Sequence, residues 1–504
     1  MKKLLIITNL VLAGTALFAQ NYTADAGRLM QTDLSGTARS LGAGGAFSSV
    51  GADMSSMSSN PAGIALYRSH EFAITAGGMG GNTNTTYLGQ SSSSSFSKGE
   101  FTQAGFIFTT KRLSKYDDLR YNRGGSKLDR FVIGFGYQKL ADYYGVTNFS
   151  GLNTQSSYAG AIANELNANQ NPLNTNNFSI PTVNGYNAGI LSYPSTTSNF
   201  LSPTIGLPVS QNGQIITSGG LSELNLTLGF NVGNTVYIGA GMGIPYINYT
   251  RTVSYNESNT TGDSSYNSYY KYSLSGWGIN GKLGVIVKPV KWVRIGAAIQ
   301  TPTMYSLNQS EFGGTSSIFG GDSIAYAASS AANYRFVYDN PMKGTFGASF
   351  FLTHWGFISV DYELNDYAHS RFFFNGNDPQ SSSAINSSIS ATYKLSSTVK
   401  AGAEFAYKGL RLRAGFAWSE SPYNSNQPSG YTGARFNYTG GIGYRGRRFF
   451  ADLAYVRTEY KSYFTPYSYT DGQGVLQNPG IYNSFAANTV VATIGFKFGL
   501  RREN

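Results

Sequence analysis

Side chains able to do chemistry are few in this chain and poorly spaced for it. There are three histidines, His70, His354 and His369, and no cysteine. No two histidines stand at ligand spacing, and without cysteine there is no thiolate site, disulfide or lipoprotein anchor. Haem ordinarily needs an axial ligand, and none of the three histidines is marked out as one. Serine and aspartate are plentiful, yet no GxSxG motif occurs and no histidine is placed as a base for a nucleophile. The expectation is therefore no enzyme, no cofactor and no metal. The charged residues carry a different signal. Lys282, Arg294, Asp361, Glu363, Lys400, Glu404, Arg411, Arg413, Arg435 and Asp452 each fall on the mixed parity of a segment whose other parity is apolar.

Those segments are the elements that must hold the charges. Val490, Ala492, Ile494, Phe496 and Phe498 share one parity against Thr489, Thr493, Gly495 and Lys497. Trp277, Ile279, Leu283, Val285 and Val287 stand against Asn280 and Lys282; Ile358, Val360 and Tyr362 stand against Asp361 and Glu363. A strand of a transmembrane barrel has this pattern, with its apolar parity facing lipid. Fourteen candidates follow: 70–79, 101–110, 130–141, 221–231, 235–249, 274–287, 291–302, 343–352, 355–368, 398–408, 410–420, 433–445, 448–461 and 489–500. Links after the even-numbered strands are short, except 111–129. Links after the odd-numbered ones are long: 80–100, 142–220, 250–273, 303–342, 369–397, 421–432 and 462–488. A soluble β-array has no reason to sort its links by parity, whereas periplasmic turns and extracellular loops do so. The reading is a 14-stranded antiparallel β-barrel, and the ten charges then point into its lumen. An Arg or Lys facing lipid at the midplane costs about 2–4 kcal/mol. Inside, the charges either pair with one another and with a plug or solvate a water-filled pore.

Composition agrees. Charged residues are 12% of the chain and aromatics 14%, with 37 Tyr, 32 Phe and 61 Gly, which suits aromatic girdles and an uncharged lipid face better than a soluble domain. Composition alone leaves a soluble all-β array open. Residues 1–19 read as a signal peptide: Lys2 and Lys3, an apolar run from Leu4 to Leu12, and Ala16-Leu17-Phe18-Ala19 before the cut. Leu17 is an imperfect residue there, so the cut could shift. No other apolar run is long enough for a helical span. The net charge of +11 falls to +9 without Lys2 and Lys3, 35 basic residues against 26 acidic, and no aromatic-basic nucleic-acid module is visible. Loop 142–220 has one charge between Gly151 and Gly220, Glu165, and Tyr158, Ile162 and Leu166 stand at helical spacing within it. Ser91 to Ser95 read as a loop tip.

The stretch Ala38 to Tyr67, ARSLGAGGAFSSVGADMSSMSSNPAGIALY, fits none of the strands. Small residues dominate it, so its backbone can lie close against other backbone, and Asn60-Pro61-Ala62-Gly63 is a turn. This run resembles the N-terminal hatch of the FadL/OmpP1/TodX family. Further likeness lies in SGWGINGKLGVIVKPVKWVRIGAAIQTPTMY, DYELNDYAHSRF and VKAGAEFAYKGLRLRAGFAWSESPYN. The resemblance implies an outer-membrane barrel at 69–504, plugged by a hatch at 20–68. It implies a monomer among outer-membrane lipids and lipopolysaccharide that takes up hydrophobic or amphipathic small molecules, fatty acids being the best-known cargo. Loop helices catch the cargo, the lumen binds it, and it leaves sideways by diffusion at a kinked third strand. Asn60, Pro61, Ala62 and Gly63 are then the hatch contact, and Phe131–Tyr144 the kinked strand with Gly134, Gly136 and Gly145 as weak points. A general porin, a structural or adhesive barrel, and a channel for aromatic hydrocarbon or haem stay as alternatives.

Overall fold

The computed structural model describes residues 22–110, 128–168, 178–191, 199–200, 207–262, 264–319, 322–374, 382–424, 432–471 and 475–499. Residues 1–19, read from sequence as a signal peptide, and most of the 111–129 link lie outside them. Alternating apolar and polar residues form strands here because only one face meets an apolar environment. Exposed Trp277, Leu283, Ile295, Ile358, Leu412 and Phe496 make that outward band.

Fourteen strands close into one antiparallel barrel. They are β1 (His70–Tyr87), β2 (Gln90–Thr109), β3 (Leu128–Asp142, continued by Gly145–Asn153), β4 (Val209–Val232) and β5 (Val236–Asn259). Next come β6 (Ser265–Val290), β7 (Val293–Gln300 and Thr303–Phe319), β8 (Asp322–Asn340 and Lys343–Phe351) and β9 (Gly356–Asp366 and Arg371–Phe374). The rest are β10 (Leu395–Tyr407), β11 (Leu410–Ser419), β12 (Arg435–Arg445), β13 (Phe449–Phe464) and β14 (Ile481–Phe498). Closure is made by β1 on β14, in register from His70 opposite Phe498 to Tyr87 opposite Ile481. β7 and β8 are interrupted at Pro302 and Pro341, which have no N–H to give a ladder.

Every candidate strand has its counterpart, but several strands run farther than their apolar parity. Links 80–100, 250–273 and 303–342 are mostly strand, as the hairpins β1–β2, β5–β6 and β7–β8. Ser91–Ser95 are not a loop tip: they pair with Thr86 back to Asn82, and the tip is the two-residue turn Leu88-Gly89, both at positive φ. Beyond the lipid the outward face is polar, so alternation vanishes while pairing continues. Within 142–220, α1 (Tyr158–Ala168) and α2 (Ile180–Asn187) form a cap, and Tyr158, Ile162 and Leu166 lie on α1 as their spacing implied. Glu257 on β5 accepts the Tyr158 amide at 2.9 Å, the Gln211 side chain at 2.6 Å and the Tyr255 hydroxyl at 2.9 Å, which ties the cap to the wall. Thr182 of α2 donates to Glu165 of α1 at 2.5 Å, and burial raises that carboxyl above its ordinary range. Among the described residues no helix is long and apolar enough to cross a membrane, which says nothing against strands doing so.

Candidate transport path: hatch, lumen and third strand

Residues 22–67 lie within the barrel as short helical pieces: 22–30, Ala38–Gly42, Ser56–Ser59 and a tighter turn at Pro61–Leu66. They fit because the wall is cut away where they touch it. Glycines face each other across adjacent strands, and a turn of the N-terminal segment rests on each pair. Gly239 opposes Gly284; a Cβ on Gly284 would lie 2.0 Å from Asn60 Oδ1, and one on Gly239 2.1 Å from the Pro61 carbonyl carbon. Gly402 opposes Gly415, and Cβ atoms there would meet the Ala43 oxygen at 2.0 Å and the Gly44 nitrogen at 2.1 Å. Gly296 opposes Gly347, with Ser48 seated on both. Gly105 opposes Gly136, under Met54 and Met57.

Asn60 is buried and holds its turn from both sides. Its amide donates to the Ser48 carbonyl at 2.7 Å and the Val285 carbonyl at 3.3 Å, and its oxygen accepts the Ala62 amide at 3.1 Å. Pro61, Ala62 and Gly63 are buried with it. Adding a methyl at Gly284 collides with that arrangement, and overpacking of this kind costs about 1–3 kcal/mol. Gly284→Ala is expected to insert normally yet show brief open-channel events in planar bilayers and a lowered unfolding temperature. A quiet channel with unchanged melting would mean the contact carries nothing.

Each of the ten inward charges has a protein partner. Arg413, whose side chain is 0% exposed, gives Nε to Glu404 at 2.7 Å and Nη1 to Asp452 at 2.7 Å. Arg445 adds a contact to Asp452 at 3.0 Å, Arg411 stands 3.8 Å from Glu404, and Arg39 of the N-terminal segment reaches Glu404 at 3.4 Å. Lys343 and Lys400 share Glu363 at 2.5 and 2.9 Å. Lys282 pairs with Glu223, and Arg435 with Asp33. Asp361 accepts the Ser48 amide at 2.8 Å and its hydroxyl at 2.7 Å. Arg294 donates to the Val50 carbonyl at 2.5 Å and lies over the Phe351 ring at 4.2 Å. Cavities of about 100 Å³, among Met30, Asp33, Ser58, Lys282 and Glu363, and about 40 Å³, beside Thr32, Glu420 and Arg435, lie in the lumen. Above them, Tyr22 packs on Phe336, Phe372 and Phe374 within a largely aromatic cluster.

Of the three glycines picked from sequence, Gly145 adjoins the break in the third strand, and Gly134 and Gly136 do not. Gly134 and Gly136 sit in continuous ladder opposite Ile107 and Gly105, and their missing side chains leave room for Met57. Pairing of β2 with β3 stops at Gln103 opposite Gln138, and β3 itself breaks at Tyr143-Tyr144, beside Gly145. From there on, among the described residues, no ladder joins Gln90–Thr102 of β2 to the outer half of β3. Across this gap Lys98 pairs with Asp142, Lys139 reaches Glu100 at 3.3 Å, and the Asn148 amide donates to Ser94 Oγ at 3.1 Å. Asp33 serves the freed backbone: its amide donates to the Leu140 carbonyl at 2.8 Å and its carboxylate accepts the Asp142 amide at 2.7 Å. Sequence reasoning gave that duty to Asn60, which instead faces β5 and β6, and it missed Asp33, Glu223, Lys98, Lys139 and Asp142. Of these only Glu223 shows inward parity within a candidate strand; Lys98 and Asp142 fall in links, Lys139 stands at a register shift of β3, Asp33 lies outside the strands, and the partners are set by register between distant strands.

The histidines are scattered: His70 accepts the Thr109 amide at 3.1 Å, His369 meets Asp366 at 2.7 Å, and His354 is in an exposed turn. No grouping of three His, Cys, Asp or Glu occurs among the described residues.

No protein-family model matches the sequence, and no curated protein matches it. Solved structures do. The toluene transporter TodX of Pseudomonas putida superposes with a TM-score of 0.54 at 12% identity, covering 93% of this chain and 100% of its own. A Pseudomonas aeruginosa FadL homologue gives 0.54 at 15% identity, covering 92% and 98%. The fold is that of the FadL/TodX barrels. Across that FadL-type fold the likeness spans both the barrel and the segment inside it, at identities where side-chain sites do not carry over.

Proposed function

We propose that this chain is an outer-membrane channel for passive uptake of hydrophobic or amphipathic small molecules, with lateral release at the third strand. The observation that carries the reading is the unladdered gap between β2 and the outer half of β3, served by Asp33, in a barrel whose lumen is otherwise filled. A filled lumen suits neither a general porin nor an open aqueous path. Cargo that enters the bilayer sideways avoids water, and this alone drives it down its gradient without ATP. In this reading residues 1–19 are removed, 20–68 are the hatch, held by Asn60–Gly63, and 69–504 are the barrel, working as a monomer among lipid and lipopolysaccharide. The α1–α2 cap is the capture surface. A long-chain fatty acid and a toluene-sized hydrocarbon are the two cargo classes to compare.

Proteoliposomes decide it: labelled fatty acid and labelled toluene are compared with glucose. Uptake of one hydrophobic probe, with glucose excluded, is the expected result. Equal entry of glucose would make the chain a general porin, and entry of none would leave a structural or adhesive barrel.

A further inference from the structure

Beyond the apolar band, β3 to β8 continue outward as paired wall. Register lays two rows of outward side chains next to each other there. One row runs Asn148, Gln214, Ser254, Tyr269, Gly314 and Ser329, each directly paired with the next. The neighbouring row, two residues along each strand, has Asn212, Asn256, Asn267 and Ser316. Together they border a cavity of about 670 Å³ that no charged residue lines.

The chemistry of this trough is specific. Gln214 donates to Asn148 at 2.8 Å, Asn212 to Asn256 at 3.2 Å and Asn256 to Asn267 at 2.7 Å, so the amides are held in fixed orientation. Each amide has two donors and two acceptor positions, and these bonds use only part of them. In the middle stands Tyr269, 41% exposed and edge-on to Phe312 at 6.3 Å. Its cross-strand neighbours are Ser254 and Gly314, too small to cover the ring. An acyl chain laid here would strand the amides without partners. A phosphate or carboxylate would meet no cation in the lining. An extended peptide would need a free sheet edge, and the strands that carry Tyr269, Asn212, Asn256, Asn267 and Ser316 are paired on both sides, the free edges lying only at the two ends of the trough, at Asn148 and Ser329. A hydroxyl-rich molecule with an apolar C–H face satisfies amides and ring together.

We infer that this trough binds a neutral sugar chain, the uncharged outer part of a saccharide rooted in the surrounding leaflet. The site is on the outside wall and not in the mouth, which is where such a neighbour stands. The inference rests on the orientation given under the proposed function, with the long hairpins facing outward.

The test uses the full-length barrel in detergent and two fragments released from lipopolysaccharide: a neutral outer-core oligosaccharide and a phosphorylated inner-core one. Binding is read by saturation-transfer NMR and calorimetry. The neutral fragment is expected to bind and the phosphorylated one to bind much more weakly. Tyr269→Ala should weaken the neutral fragment about tenfold, and Asn256→Ala by a smaller factor, because both remove a direct contact. Heat-modifiable gel migration and fatty-acid uptake should stay unchanged in both variants. No binding of the neutral fragment, preference for the phosphorylated one, or equal binding by wild type and both variants each overturns the assignment. Sugar binding without any hydrophobic uptake would sink the transport reading and leave this one standing.

Discussion

A barrel lacking residues 20–65 is expected to insert, stay folded and conduct. The wall does not depend on the hatch for closure, since β1 pairs with β14 along its whole length. Much of its buried charge is also settled within the wall: Arg413 with Glu404 and Asp452, Lys282 with Glu223, and Lys343 and Lys400 with Glu363. The groups left bare are those that lean on the hatch, chiefly Asp361, Arg294 and Arg435. They can be hydrated once water enters, which avoids the cost of an uncompensated buried charge. Planar-bilayer recordings should therefore show steady conductance at least roughly tenfold above background, with glucose leaking into liposomes, as from a water-filled barrel. If the truncated protein migrates as a folded barrel yet remains at background, the segment is not what blocks the lumen.

Tying the gap shut should stop transport while sparing everything else. The chain has no cysteine, so Lys98→Cys with Asp142→Cys introduces the only two thiols, across the place where ladder pairing has ended. A short bis-thiol reagent then joins β2 to β3, and a reductant releases it. Backbone groups can part inside a membrane only where protein or water takes over their bonds, and Asp33 provides this at Leu140 and Asp142. Linked protein should lose uptake at least roughly tenfold and recover it on reduction, because here, among the described residues, parting β2 from β3 breaks no ladder. The unlinked double variant is the reference, which removes the effect of the lost ion pair. Undiminished uptake by fully linked protein would place the exit elsewhere.

How far the sequence could be read follows from what each feature depends on. The fourteen strands depend on a local property, alternation against lipid, and segments such as 274–287 and 489–500 show it directly. Their outer halves do not, because polar residues on both faces of β1, β2 and β5 look like loop. The inward direction of Arg413 or Asp361 is again local parity. Its partner is not, since Glu404, Asp452 and Ser48 come from other strands and from the hatch. The break at Tyr143-Tyr144 was masked for the same reason: glycines at 134 and 136 suggest weakness locally, whereas the register puts them under Met57. Asp33 gives no local sign of its duty at all.

The facing glycines have a consequence for how the molecule is assembled. Each notch exists only while two strands keep one register: a one-residue slip of β5 along β6 would turn Gly239 or Gly284 outward and drive a side chain into Asn60. The same holds for the pairs on β10–β11, β7–β8 and β2–β3. Seating the N-terminal segment thus checks four separate strand alignments at once, so the piece that stops the bore is also a gauge of whether the cylinder around it was put together correctly.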